Sequence, residues 1–155
     1  MGNKKVFVDS SVLVAACLSS GGASYFCIIS APEAGYKLLI NEMVFEETLD
    51  VLKRKFPELM NRFFGLLSIG NFSILKNPEK RELRIVKNLI EEKDVPILVS
   101  AVKHADYLLT LDKGFFKKRS YKFYQESQTN YFATKRVYSI LKTKFSFSSN
   151  LENYL

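Results

Sequence analysis

The sequence predicts an α/β domain of three layers, with helices on both faces of a central, mainly parallel sheet. Three observations lead there. Short apolar runs recur at 5–8, 36–40 and 107–111, the first of them β-branched. Segments of helical length stand between them, with apolar residues recurring at three and four positions. The chain has 155 residues, 47% hydrophobic and 25% charged, an ordinary globular mixture that can fill one core. Strands alternating with helices close as a parallel sheet, so the whole chain, 1–155, reads as one domain.

The elements follow in order. Lys5-Val6-Phe7-Val8 is a buried strand ending in Asp9. Ser10 is placed to cap a helix running to Leu18, which Gly21-Gly22 breaks. A second helix spans 23–31 and stops near Pro32. Tyr36 to Ile40 is the second strand. Asn41 caps a helix from Glu42 to about Phe56, and 57–67 reads as another. A short strand is expected at 72–75. Residues 79–92 have helical periodicity, with Leu83, Val86, Leu89 and Ile90 on one face. Asp94 caps a helix from Val95 to Ala105, Pro96 being tolerated in its first turn. Tyr107 to Leu111 is a strand ending in Asp112. Beyond Tyr121 the pattern weakens, with a helix expected over 131–144.

Composition excludes several functions. No apolar run approaches the roughly 18 residues of a membrane span. The first residues carry no apolar segment of the kind a secretory signal needs. Val6 stands where a myristoylation signal wants a hydroxyl. Two cysteines are too few for a disulfide framework, and a reduced, cytoplasmic setting is the simplest expectation. A single histidine rules out a two-histidine ribonuclease and a His-rich zinc site. Charge is uneven. Residues 1–112 hold 14 Lys+Arg and 14 Asp+Glu, whereas 113–155 hold 9 and 2, so the net +7 falls in the last 43 residues. Aromatics are interleaved there. Such a segment can neutralise phosphates and stack bases, or simply be a basic surface over an aromatic core.

Ligands of open parallel sheets bind beyond the carboxyl ends of the strands. Asp9 and Asp112 both stand there, in a chain with five aspartates. Asp94 opens a helix whose apolar residues Ile97, Leu98, Ala101 and Ala105 follow at i+3, i+4, i+7 and i+11, which puts its carboxylate at the end of the buried face. Taken alone, an acid at that place is more often a plain helix cap. Among Glu42, Glu46 and Glu47, the last has the most apolar helical neighbours (Met43, Val44 and Val51) and borders the buried face most closely. All three would also suit a helix start electrostatically. Four carboxylates brought together raise one another's pKa, and a hard divalent cation relieves them. Oxygen ligands select Mg²⁺ or Mn²⁺, which can activate water for phosphoester hydrolysis without histidine.

The segments VFVDSSVLVAA (6–16), INEMVFEETLDVL (40–52) and KDVPILVSAVKHADYLLTLDKGFF (93–116), in this order and with these flanking strands, resemble the PIN-domain nucleases. The resemblance covers about 5–118. It implies an α/β/α fold with an acidic cluster that binds Mg²⁺ or Mn²⁺ and cleaves RNA. Many small prokaryotic members are toxins of the VapC type, so a toxin–antitoxin role and an antitoxin partner are implied, and homodimers are common in the family. Carried over, the acids fall on Asp9, Glu47, Asp94 and Asp112, with Thr110 the supporting hydroxyl of a Thr-x-Asp motif. The family's first motif often reads Asp-Thr-Asn. Here Ser10 and Ser11 follow Asp9, Ser11 standing as the supporting residue at the third place. Lys113-Gly114 replaces the further acid that many members carry after the last Asp, which bears on a second metal.

Rival readings fit less well. A haloacid-dehalogenase-type phosphatase needs an Asp where Ser11 stands, and a dinucleotide-binding domain needs a Gly-rich first turn. An RNA-binding module with an idle cluster is the remaining alternative to a metal-dependent endoribonuclease. Lys113, Lys117, Lys118 and Arg119, following the last acid, are the expected phosphate contacts, with Phe115 or Phe116 in the core.

Overall fold

The computed structural model describes residues 4–84, 90–116 and 130–133. Five strands, β1 (Lys4–Val8), β2 (Tyr36–Asn41), β3 (Ser73–Leu75), β4 (Tyr107–Thr110) and β5 (Asn130–Ala133), form one sheet in the order β3-β2-β1-β4-β5. All four pairings are parallel, with Phe7 opposite both Leu39 and Leu108 in the register of the central three strands. The described residues contain six helices: α1 (Ser10–Leu18), α2 (Ala23–Ser30), α3 (Glu42–Lys55), α4 (Met60–Ile69), α5 (Lys80–Leu83) and α6 (Val95–His104).

The layers follow from the strands' composition. Val6, Phe7 and Val8 are buried in succession, as are Leu38, Leu39 and Ile40, so both faces of the sheet are covered. α1 packs against α2, α3 and α4, while α6 packs on β1 and against α5, giving the expected α/β/α arrangement. Phe7, Leu13, Ile28, Phe63 and Leu98 are among the largest side chains sealed in the core, and Phe115 joins them as expected. The described side chains do not include Phe116. Gly35 makes the turn into β2 at φ +79°, a conformation that a Cβ would strain. Among the described residues no single helix is long and apolar enough to cross a membrane.

Several elements differ from the expectation. Asp9, not Ser10, caps α1: the chain leaves β1 still extended at Asp9 (φ −81°, ψ 155°), and its carboxylate accepts the Ser10 N–H. Asn41 does cap α3, accepting from Val44 N at 2.9 Å. The helix expected from Pro57 begins as a 3₁₀ turn, Pro57–Leu59, before α4. The single helix expected over 79–92 does not reach Glu92, since Glu92–Asp94 is a 3₁₀ turn; positions 85–89 lie outside the described residues. The helix expected from Tyr131 is overturned at its start. Asn130–Ala133 is a strand that pairs along the outer edge of β4, where backbone groups would otherwise stay unpaired. The rest of that stretch lies outside the described residues.

The strand order places the site. From β1 the chain moves outward through β2 to β3, then returns to β4 on the other side of β1. The carboxyl ends of β1 and β4 therefore flank a topological switch point, where open parallel sheets leave a crevice. Asp9 and Asp112 follow those two ends.

Candidate functional site

Asp9 is 3% exposed and held by backbone and side chains together. Its N–H donates to the Leu109 carbonyl at 3.0 Å, extending the β1–β4 pairing up to the acid itself. Oδ1 accepts the Ser10 N–H at 2.8 Å. Oδ2 accepts the hydroxyls of Ser11 and Thr110, each at 2.7 Å. A carboxylate has about four acceptor positions. Two donors fill Oδ2, so the remaining capacity lies on Oδ1.

The two hydroxyls also accept. Thr110, fully buried, receives the Asp112 N–H at 3.0 Å, and Ser11 receives the Leu111 N–H at 3.1 Å. Donating one way and accepting the other, Thr110 and Ser11 tie the Asp9 carboxylate to the backbone that carries Asp112. The Thr-x-Asp motif thus acts through Asp9 as much as through Asp112. A hydroxyl is the smallest group that can do both tasks at once.

Glu47 reaches the same end of the sheet from α3. Its side chain is exposed, contrary to the expectation that it borders the buried face most closely. The Ser10 hydroxyl donates to Glu47 Oε2 at 2.9 Å and stands 3.4 Å from Asp9 Oδ1. Glu46 is exposed as well, and Glu42 accepts the Asn77 N–H at 3.2 Å.

Asp94 is 8% exposed. It stands at the start of α6 but makes no capping bond, because the preceding 3₁₀ turn leaves its backbone helical (φ −92°, ψ −10°) where a cap requires an extended one. No hydrogen bond from the described residues reaches its carboxylate. Burial pushes this carboxyl up to about 6; Lys93 pulls it down, and the charges of Asp112 and Asp9 raise it further. The three aspartates therefore share one electrostatic neighbourhood. Lys93 is exposed and itself held above its ordinary value, first by Asp94, then by Glu91 at 3.4 Å, with Asp112 contributing. Reading the sequence overlooked both Lys93 and Ser10. Lys93 adjoins Asp94 in the KDVP segment, which is its only local signal; Ser10 reads as a helix cap and as the hydroxyl at the second place of the first motif, but not as a partner of Glu47.

As the side chains stand, no three acids among the described residues lie close enough together to hold a metal ion. The donor chemistry nonetheless fits a hard divalent cation. Asp94 presents a buried carboxylate with no hydrogen-bond donor among the described residues, Asp9 keeps capacity on Oδ1, and every candidate ligand is oxygen. His104, the one histidine, lines a different cleft with Leu75, Asn77 and Lys103, whose lining includes none of the four acids. Cys17 and Cys27 are buried thiols outside any disulfide, pushed up to about 11 and about 12 by desolvation, and belong to no metal-holding group among the described residues. Of the expected phosphate contacts, Lys113 is exposed; Lys117, Lys118 and Arg119 lie outside the described residues.

The three-layer fold, with Asp9 and Asp112 following the strand ends at the switch point of a parallel sheet, is of the nuclease type. The family model described as PIN domain matches residues 5–114, and the chain belongs to that family. PIN domains are generally nucleases and typically use divalent metals. Among solved structures, the chain is similar to the crystal structure of PAE2754 from Pyrobaculum aerophilum. The TM-score is 0.63 at 16% identity, over 91% of this chain and 97% of that one, a likeness of fold. No curated protein matches the sequence.

Proposed function

We propose that the protein is a Mg²⁺- or Mn²⁺-dependent endoribonuclease. The observation that carries this reading is that Asp94, buried and with no hydrogen-bond donor among the described residues, shares the electrostatic neighbourhood of Asp9 and Asp112 at the switch point of a PIN fold. Asp9, Asp94 and Asp112 would hold the cation, with Glu47 completing the set. A bound ion supplies a nucleophilic water at neutral pH and neutralises charge on the phosphate. The chain's own part is to fix the Asp9 carboxylate through Ser10 N–H, Ser11 and Thr110, and to hold the Asp112 backbone against it. Lys113 with Lys117, Lys118 and Arg119 would supply the positive charge that holds an RNA backbone near an acidic site. Family membership and small size support a toxin role, with an antitoxin protein as partner, and a homodimer.

The test is cleavage of a generic single-stranded RNA with Mg²⁺, with Mn²⁺ and with chelator. Cleavage should require metal and vanish in Asp9→Asn, while circular dichroism of the variant stays native. A folded, fully active Asp9→Asn protein would sink the mechanism. Metal-independent RNA binding without turnover would instead identify a binding module.

A further inference from the structure

We propose that Ser10 is a positioning residue that selects Glu47, among the three glutamates of the α3 start, as the acid delivered to the Asp9 site. The inference rests on the nuclease reading and concerns how its fourth carboxylate is held. Glu47 is exposed, so nothing in its packing fixes it, and a free glutamate side chain spreads over many rotamers. The Ser10 hydroxyl, at 2.9 Å from Oε2, ties it to the segment that carries Asp9.

That hydroxyl has a single proton. Glu47 at 2.9 Å and Asp9 at 3.4 Å cannot both receive it, and the nearer carboxylate takes it. Asp9 loses nothing by this, because the Ser10 N–H, Ser11 and Thr110 already hold it. The cap of α1 likewise uses the backbone N–H of Ser10 and not its hydroxyl. The side chain of Ser10 is therefore dispensable for the helix and for Asp9, and its bond to Glu47 is the task left.

The experiment is a double-mutant cycle on Ser10→Ala and Glu47→Gln, read by Mn²⁺ titration calorimetry without RNA and by RNA cleavage. Ser10→Ala should melt like wild type in chelator and bind Mn²⁺ about tenfold more weakly, the scale of a lost partner to a metal-ligating group. Glu47→Gln should show a similar loss, and the double variant should be no worse than Glu47→Gln alone. Ser10→Thr, which keeps the hydroxyl, should restore binding. Additive losses, or wild-type Mn²⁺ affinity in Ser10→Ala, overturn the role of Ser10 while leaving a wild-type metal nuclease in place. A wild-type protein that neither binds Mn²⁺ nor cleaves RNA overturns the nuclease reading and this inference with it.

Discussion

Asp94 is the residue whose situation has the clearest thermodynamic consequence. Its carboxyl is pushed up to about 6 chiefly by burial, from an ordinary value of 3.8. The folded protein therefore binds this proton more tightly than the unfolded chain does. Below about pH 4 both states are protonated and Asp94 costs nothing. As pH rises from about 4 to about 6 the unfolded chain ionises first, and stability falls; above that window the loss is complete. In chelator, the melting temperature should decline across this window by more in wild type than in Asp94→Asn, and the variant should be the more stable of the two at pH 7. Adding Mn²⁺ should raise the melting temperature of wild type but not of the variant and so narrow the gap, since a cation that binds only the folded state stabilises it by about 1.4 kcal/mol at tenfold excess over its Kd. Parallel pH curves for the two proteins would show that Asp94 does not carry the burden assigned to it.

At the scale of elements, the joint between β1, α1 and β4 depends on two small hydroxyls. Thr110→Ala removes a donor from Asp9 and leaves the partly buried Asp112 N–H without its acceptor. An unsatisfied group of this kind costs about 1–3 kcal/mol, a few degrees of melting temperature in a chain of this size. Thr110→Ser should recover most of that loss and Thr110→Val should not, which differential scanning calorimetry can decide; equal melting of the three would mean that the hydroxyl carries no structural weight.

The same joint explains what could be read in the sequence. Asp9 and Asp112 are legible because Asp9 directly follows β1 and Asp112 stands one residue past β4, which ends at Thr110 and not at Leu111, and strand ends are local features. Thr110 and Ser11 were named as supports by resemblance, but their shared acceptor, Asp9 Oδ2, lies 101 residues in sequence from Thr110. The bond from Ser10 to Glu47 spans 37 residues and has no local signature at all. Counting apolar neighbours placed Glu47 at the buried face, whereas it is exposed and accepts from Ser10. Asp94 looked like a cap because periodicity locates a helix start without giving the backbone angle of the residue before it. β5 escaped because its partner is β4, some twenty residues away, and four residues rich in aromatics suit a helix as well as a strand until that edge is known to need covering.

For the whole molecule, the distribution of charge sets the expectation. The first 112 residues carry no net charge and the last 43 carry all of the +7. An acidic site repels phosphate, so RNA must be held by positive charge outside it. Lys113 follows Asp112 directly, in the 3₁₀ turn Lys113–Phe116 that buried Phe115 anchors to the core, and Lys117, Lys118 and Arg119 come next in sequence. Contacts of this type release counterions, so affinity falls with the logarithm of salt by roughly 0.7 per neutralised phosphate on a single strand. Replacing Lys117, Lys118 and Arg119 together by Ala should weaken binding to every RNA sequence alike and flatten the salt slope by about two. The rise in melting temperature with Mn²⁺ should stay, because none of the proposed ligands is touched. Fluorescence anisotropy on two unrelated single strands over a range of salt reads the first effect, and a melting curve with metal reads the second. An unchanged slope would assign this charge to surface solubility, and the search for the RNA-holding cations would move to Lys93, the exposed cation already standing beside Asp94.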